Sequence, residues 1–110
     1  MNKYRNKRTK LDGFTFDSNK EACRYAELKL MEKAGLITNL QKQVKFELQP
    51  AFYHEGKKQR AINYIADFTY LQGGKLIIED VKSEITKHNK VYKLKKKMML
   101  YRGYEIKEFE

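Results

Sequence analysis

The segment from residue 60 to residue 83 limits the fold more than any other part of the chain. Its sequence, "RAINYIADFTYLQGGKLIIEDVKS", contains two runs rich in β-branched and aromatic residues, separated by Gly73 and Gly74. Residues of these types favour strands, and adjacent glycines allow the positive φ angles of a tight turn. The segment therefore predicts an antiparallel β-hairpin.

Hydrophobic periodicity predicts further elements on both sides of this hairpin. Residues 19–34 place apolar side chains at helical spacing, and Gly35 follows as the glycine expected after a helix. Residues 40–49, "LQKQVKFELQ", alternate as a half-buried strand, and "YHEGKKQ" is expected to form a turn. Residues 86–101 again have helical spacing and are followed by Gly103, after which "YEIKEF" alternates as a last strand.

The predicted order α-β-β-β-α-β implies an α/β (α+β) fold with a mixed sheet flanked by helices. The first three strands form an antiparallel meander, and the last strand can pair in parallel after a helical crossover. The core face of the first helix is predicted to comprise Ala22, Tyr25, Ala26, Leu28, Leu30 and Met31, and that of the second Val91, Leu94, Met98 and Tyr101.

The charge of the chain suggests a polyanionic partner. Twenty-four Lys and Arg against fourteen Asp and Glu give a formal net charge of +10, and DNA or RNA is the leading candidate. A basic protein that uses its charge only for solubility is the alternative. The single cysteine, Cys23, and the absence of a membrane-spanning or signal segment favour the cytoplasm.

Two groups of basic residues are candidates for DNA binding. Residues 1–10, "MNKYRNKRTK", have almost nothing to bury and are expected to form a flexible basic arm ahead of a single domain at 11–110. Lysines also fill most of the solvent side expected for the second helix. The candidates are Lys7, Arg8, Lys10, Lys90, Lys93, Lys96 and Lys97.

Two acids and a lysine lie in the apolar hairpin. Because side chains alternate along a strand, Asp80 and Lys82 are expected on one face and Glu79 on the other. The Gly-Gly turn can bring Asp67 close to Asp80, an arrangement that costs free energy unless a divalent cation such as Mg²⁺ relieves the repulsion. Lys82 could then act on a water or on the charge of a phosphate. The alternative is a surface ion pair with Asp67 capping a strand.

Glu21 is a further acid with two interpretations. Ser18 and Glu21 fit a capping box, in which Ser18 caps the helix and Glu21 reaches back to its N–H group. An acid at a helix N-terminus near the strand ends can also bind a metal.

The combination of Glu21, Asp67, Asp80 and Lys82 within α-β-β-β-α-β resembles the PD-(D/E)XK nuclease superfamily. This resemblance implies a restriction-endonuclease-like core, with Asp67 and Asp80 binding Mg²⁺ or Mn²⁺, Lys82 assisting the water and Glu21 completing the site. The expected metal-site residues are Asp67, Asp80, Glu21 and Val81.

The chain resembles one part of that superfamily more closely. The segments "FDSNKEACRYAELKLMEKAGLITNLQKQVKFELQP", "RAINYIADFTY" and "EDVKSEITKHNKVYKLKKKMML" are similar to small phage-encoded nucleases related to Holliday junction resolvases and Tn7-type transposon endonucleases. Ala66 replaces the proline of the motif, and either Asp80 or Glu79 can be its second acid. Relatives carry a polar residue near the site where this chain has Gln43, a secondary candidate that is equally consistent with a solvent-facing strand residue.

The resemblance implies a metal-dependent endodeoxyribonuclease. Its expected substrate is branched DNA such as a Holliday junction, processed during phage recombination in the host cytoplasm, and two-fold cutting would favour a homodimer. The alternatives are a non-catalytic DNA-binding accessory protein with the same fold and an RNA nuclease.

Overall fold

The computed structural model describes residues 9–11, 14–16, 18–83 and 86–110, and within them two helices and eight strands. The helices are α1 (Asn19–Lys33) and α2 (Lys90–Tyr101), and a short 3₁₀ turn, Thr86–His88, precedes α2. The strands are β1 (Thr9–Leu11), β2 (Phe14–Phe16), β3 (Thr38–Gln49), β4 (Phe52–His54), β5 (Lys57–Gln59), β6 (Ile62–Gln72), β7 (Lys75–Val81) and β8 (Ile106–Phe109). No described helix is long and apolar enough to cross a membrane.

A four-stranded sheet in the order β3-β6-β7-β8 forms the centre of the fold. β3, β6 and β7 pair antiparallel as a meander, and β8 pairs parallel to β7 after the crossover through α2. The predicted mixed sheet flanked by helices is therefore confirmed. β1–β2 and β4–β5 form two additional antiparallel hairpins.

Each face of the sheet is covered by one helix, which gives two apolar clusters. The α1 side contains Ala22, Tyr25, Leu28, Ile37, Phe68 and Tyr70. The α2 side contains Leu48, Tyr64, Ala66, Ile78, Tyr92, Met99 and Ile106. The strands β6 and β7 contribute side chains to both clusters, so the centre of the sheet is buried from both sides.

The β3–β6 ladder changes face at Gln43 and Asp67. Tyr64 packs on the α2 side and Phe68 on the α1 side, although a regular strand would place residues four apart on one face. Pairing is interrupted between Lys42–Phe68 and Val44–Ala66, where Gln43 has a positive φ of 54°. The register is the same on both sides of this break, so no residue is inserted, and the distortion at Gln43 lies opposite Asp67.

The ends of α1 agree with the sequence prediction. The Ser18 hydroxyl caps the helix by accepting a hydrogen bond from the N–H of Glu21, and Gly35 has the positive φ expected beyond the C-cap. The predicted core face is wrong at Leu30, which is 68% exposed. Leu28, which belongs to the same predicted face, is fully buried as expected.

The predicted core face of α2 is wrong at three of its four residues. Val91, Leu94 and Tyr101 are exposed, whereas Tyr92 and Met99 are buried against the sheet, and Met98 packs at the edge of their cluster. One residue along a helix corresponds to a rotation of about 100°. Two apolar stripes therefore lie side by side on α2, and the stripe that contains Tyr92 and Met99 faces the sheet.

Two other expectations concern the segment "YHEGKKQ" and the N-terminal basic arm. The segment "YHEGKKQ", expected to be only a turn, contains parts of β4 and β5. Lys7 and Arg8 lie outside the described residues. The backbone of Lys10 lies in β1, at the end of the segment expected to form a flexible arm.

A buried ion pair joins α1 to β7. The guanidinium of Arg24 donates to both oxygens of Glu79, at 2.8 and 2.7 Å, and the Tyr70 hydroxyl donates to Glu79 as well. The Arg24 guanidinium also lies 4.0 Å from the ring centroid of Phe109. Burial raises the pKa of Glu79, but the hydrogen bonds from Arg24 and Tyr70 outweigh it and hold the pKa below its usual value. Glu79 is therefore charged and structural.

Arg24→Ala should destabilise the fold by about 3–5 kcal/mol, because it leaves the Glu79 carboxylate buried without its cation. Urea unfolding followed by circular dichroism measures this change. Lys29→Ala, on the same helix but exposed, is the control. The double variant Arg24→Met with Glu79→Gln should recover much of the loss, and a double variant as unstable as Arg24→Ala would contradict the explanation.

Candidate functional site

Two carboxyl groups lie together where β7 ends beside the middle of β6. The side chains of Asp67 and Asp80 are within hydrogen-bond contact of each other, and the N–H of Val81 donates to Asp67 Oδ2 at 2.8 Å. Asp80 is only 3% exposed. The convergence of Asp67 and Asp80 predicted from the hairpin is therefore observed.

Lys82 and two tyrosines surround this pair. Lys82 Nζ lies 3.5 Å from Asp80 Oδ2 and 4.0 Å from the ring centroid of Tyr92. The Tyr64 hydroxyl donates a hydrogen bond to the same oxygen, Asp80 Oδ2. Burial, together with the Asp80 carboxylate, raises the pKa of Tyr64, so its hydroxyl remains a donor. Asp80 is thus held by one cation and one hydroxyl.

Asp67 is the acid whose ionisation the fold opposes. Burial and the neighbouring Asp80 raise the pKa of Asp67 to about 7, and the amide of Val81 and the Lys82 ammonium compensate only in part. Two carboxyl groups in contact share a proton more readily than they carry two charges. Near neutral pH the pair therefore holds a proton that a divalent cation can replace.

Glu79 does not belong to this group. It points to the α1 side, where Arg24 and Tyr70 satisfy its carboxylate, while Asp80 faces Tyr64 and Lys82 on the α2 side. Of the two acids in "ED", only Asp80 lies beside Asp67, which favours Asp80 as the second acid of the motif.

Glu21 lies at the edge of the site. Its carboxylate is buried and accepts a hydrogen bond from Gln43 Nε2 at 3.1 Å, and Gln43 lies opposite Asp67 in the β3–β6 ladder. Ser18 provides the first half of the expected capping box, while the Glu21 carboxylate binds Gln43. The described residues contain no group of three or more His, Cys, Asp or Glu side chains that could hold a metal. Glu21 is therefore linked to the region of Asp67 and Asp80 by its hydrogen bond with Gln43.

Three residues of the site were not identified from the sequence. Tyr64 and Tyr92 hold Asp80 and Lys82, and Lys20 Nζ donates to the carbonyl of Lys82 at 3.1 Å. Tyr64 is three residues from Asp67, a spacing that places two residues on opposite faces of a regular strand. The irregularity at Gln43 places the side chains of Tyr64 and Asp67 on the same face of the sheet.

A basic surface adjoins the site along α2. Lys90, Lys93 and Lys97 are exposed, and Lys96 is partly buried because it pairs with Glu108 at 2.9 Å. Lys93, Lys96 and Lys97 line a shallow cavity of about 440 Å³ together with Lys87 and His88. The side chains of Lys7, Arg8 and Lys10 lie outside the described part of the chain.

Asp67→Asn should stabilise the protein more at pH 8 than at pH 5. The pKa of Asp67 rises from 3.8 to about 7 on folding. The folded state therefore binds more protons in that range, and wild type loses stability as pH increases towards 7. Asparagine removes this loss, so its advantage should grow by about 2 kcal/mol between the two pH values.

Urea denaturation of both proteins without divalent cations measures this difference. Glu105→Gln, which removes one exposed negative charge, is the control. A constant difference between Asp67→Asn and wild type at both pH values would contradict the raised pKa.

Comparison with known proteins gives one family. Neither a search of curated proteins nor a search of solved structures found a match. A family model described as "Protein of unknown function (DUF1064)" matches residues 1–109, which is almost the whole chain. The chain therefore belongs to the DUF1064 family.

Proposed function

We propose that the protein is a Mg²⁺-dependent endodeoxyribonuclease of the PD-(D/E)XK type. The observation that carries the proposal is the contact between Asp67 and Asp80, with Lys82 3.5 Å from Asp80 at the end of β7. Paired carboxylates beside a lysine are suited to phosphodiester hydrolysis. The proposed substrate is branched DNA, such as a Holliday junction, in phage recombination or DNA processing.

The donor set fits a small divalent cation. Mg²⁺ is commonly held by one or two carboxylates, with water and substrate phosphate completing its coordination. Asp67 and Asp80 supply two carboxylates, and Val81 lies beside them. When bound, the cation would polarise the phosphate and make a water a stronger nucleophile. Mn²⁺ has similar ligand preferences.

Lys82 and Tyr64 have separate roles in this proposal. The Lys82 side chain is only 16% exposed, and its ammonium lies over the ring of Tyr92, where it can stabilise negative charge on the phosphate under attack. The Tyr64 hydroxyl orients Asp80 by donating to it. Gln43, which lies opposite Asp67 in the β3–β6 ladder, donates a hydrogen bond to Glu21 beside the site.

The basic surface of α2 supports DNA as the substrate. Lys90 and Lys93 project into solvent from the first turn of the helix that follows the site strand. Lysines bind phosphates without reading base sequence, so the proposed selectivity is for DNA structure.

A non-catalytic DNA-binding accessory protein is the alternative. It is favoured by the position of Glu21, which the described structure links to Gln43 and not to a group of three acids. Cleavage distinguishes the two functions, since both predict DNA binding.

Asp80→Asn should retain DNA binding and lower the cleavage rate at least about 100-fold, because it removes a ligand charge. Lys82→Ala should lower the turnover by a similar factor and leave metal affinity near wild type. The assay uses duplex, flap and four-way-junction DNA, with a matched RNA duplex, across a Mg²⁺ titration. Lys75→Ala, at the exposed start of β7, is the control for Lys82→Ala.

Full activity of Asp80→Asn would contradict the metal assignment. Normal turnover of Lys82→Ala at saturating Mg²⁺ would contradict the lysine's role. Binding without cleavage of any substrate by wild type would favour the accessory protein.

Replacing Lys90 and Lys93 together by Ala should weaken binding to all duplex sequences about equally and reduce its salt dependence. Each phosphate contact contributes about 0.9 to the slope of log K against log salt concentration. Fluorescence anisotropy at several salt concentrations measures the slope. The double variant Lys75→Ala with Lys33→Ala, two exposed lysines at the start of β7 and at the last residue of α1, is the control. An unchanged slope would place α2 away from DNA.

A further inference from the structure

The β4–β5 hairpin is a small projecting element with no core of its own. Its strands pair Phe52 with Gln59, Tyr53 with Lys58 and His54 with Lys57, and the turn is Glu55–Gly56. Both turn residues have positive φ, 49° and 76°, as in a tight type I′ turn. Beyond its own pairing, the described hairpin makes no extensive contact with another helix or strand.

Aromatic and basic side chains are exposed together on this hairpin. Tyr53 is 72% exposed and Phe52 is 46% exposed. Residues paired across a ladder share a face, so Lys58 accompanies the ring of Tyr53, and Lys57 and His54 share the face of Phe52. Residues 52–60 carry three cationic side chains, Lys57, Lys58 and Arg60, and one acidic side chain, Glu55. Each face therefore combines an aromatic ring with positive charge.

The hairpin lies at the same end of the sheet as the candidate active site. β7 pairs with β6 only from Gln72 back to Phe68, so β7 ends beside Asp67 while β3 and β6 continue beyond it. The hairpin joins the far end of this ribbon through two residues on each side. Along β6, the five residue steps from Asp67 to Ile62 span about 17 Å, which is about five nucleotides of a DNA strand.

We infer that the β4–β5 hairpin binds an unpaired DNA strand next to the cleavage site, with Tyr53 stacking on a base and Lys58 contacting phosphate. An exposed ring can stack on a base that has left the duplex, whereas bases inside a duplex already stack on one another. The charge of the hairpin complements the backbone of such a strand. This inference rests on the proposed function and specifies its substrate as DNA with a branch or single-stranded end.

A tryptophan at position 53 tests the contact directly. The chain contains no Trp, so Tyr53→Trp introduces a single reporter in the full-length protein. A base stacked on the indole should quench its fluorescence. We expect quenching by a single-stranded oligonucleotide and by a duplex with an unpaired flap, and little change with blunt duplex. Unchanged fluorescence with bound flap DNA would overturn the inference.

Binding measurements on Tyr53→Ala show how much the stacking contact contributes to DNA affinity. Loss of one base–aromatic stack should weaken binding to flap and single-stranded DNA about tenfold, with less than about a twofold change for blunt duplex. Tyr53→Phe keeps the ring and should bind like wild type. Tyr101→Ala removes a tyrosine that is 92% exposed on α2 and is the matched control.

The same experiments separate this inference from the nuclease proposal. Anisotropy and fluorescence are read in EDTA, where cleavage plays no part, so stacking without any later cleavage would support the hairpin and reject the nuclease. Equal weakening of blunt duplex and flap DNA by Tyr53→Ala would indicate groove binding and overturn the inference. Tighter binding of an RNA strand of the same sequence would overturn the assignment to DNA.

Discussion

The Arg24–Glu79 ion pair is the constraint on which the site depends. Consecutive residues of a strand point to opposite faces, so anchoring Glu79 to Arg24 on the α1 side directs Asp80 to the α2 side. The same contact fixes α1 over β7, and Glu21 lies one helical turn before Arg24. A buried pair of this kind adds little net stability compared with apolar residues, but loss of one partner is costly. Its main effect is therefore to direct Glu79 to the α1 face of the sheet and Asp80 to the α2 face.

The irregularity at Gln43 is a second constraint, and it carries strain. A non-glycine residue in the left-handed region costs about 1–3 kcal/mol, and such residues are enriched at functional sites. Here the distortion lies opposite Asp67 and brings Tyr64 to the side of Asp80. The strained residue also holds Glu21 by a hydrogen bond. Two sheet faces with separate cores allow the strand to change face without losing burial, because Phe68 fills one core and Ala66 the other.

The sequence predicted those features that depend on local patterns. The order of the core elements, the Gly73–Gly74 hairpin and the meeting of Asp67 with Asp80 all follow from periodicity and turn chemistry. The buried face of α2 was predicted wrongly, because Val91 and Tyr92 begin neighbouring apolar stripes and only the packing against the sheet decides between them. Tyr64 was missed because the alternation rule fails at the irregularity. The roles of Asp67, Asp80, Lys82 and Glu21 in catalysis stay a prediction.

The energetics of the site favour a functional over a structural interpretation of Asp67 and Asp80. Elsewhere the fold satisfies a buried acid fully, as Arg24 and Tyr70 do for Glu79, whereas burial and Asp80 raise the pKa of Asp67. A pair selected only for stability would gain from an amide at one position, since the amide keeps the hydrogen bond from Val81 and removes the repulsion. Retaining two carboxyl groups there opposes stability at neutral pH. Under the proposed function, a divalent cation would balance the charge of the two carboxylates, which the protein alone leaves incomplete.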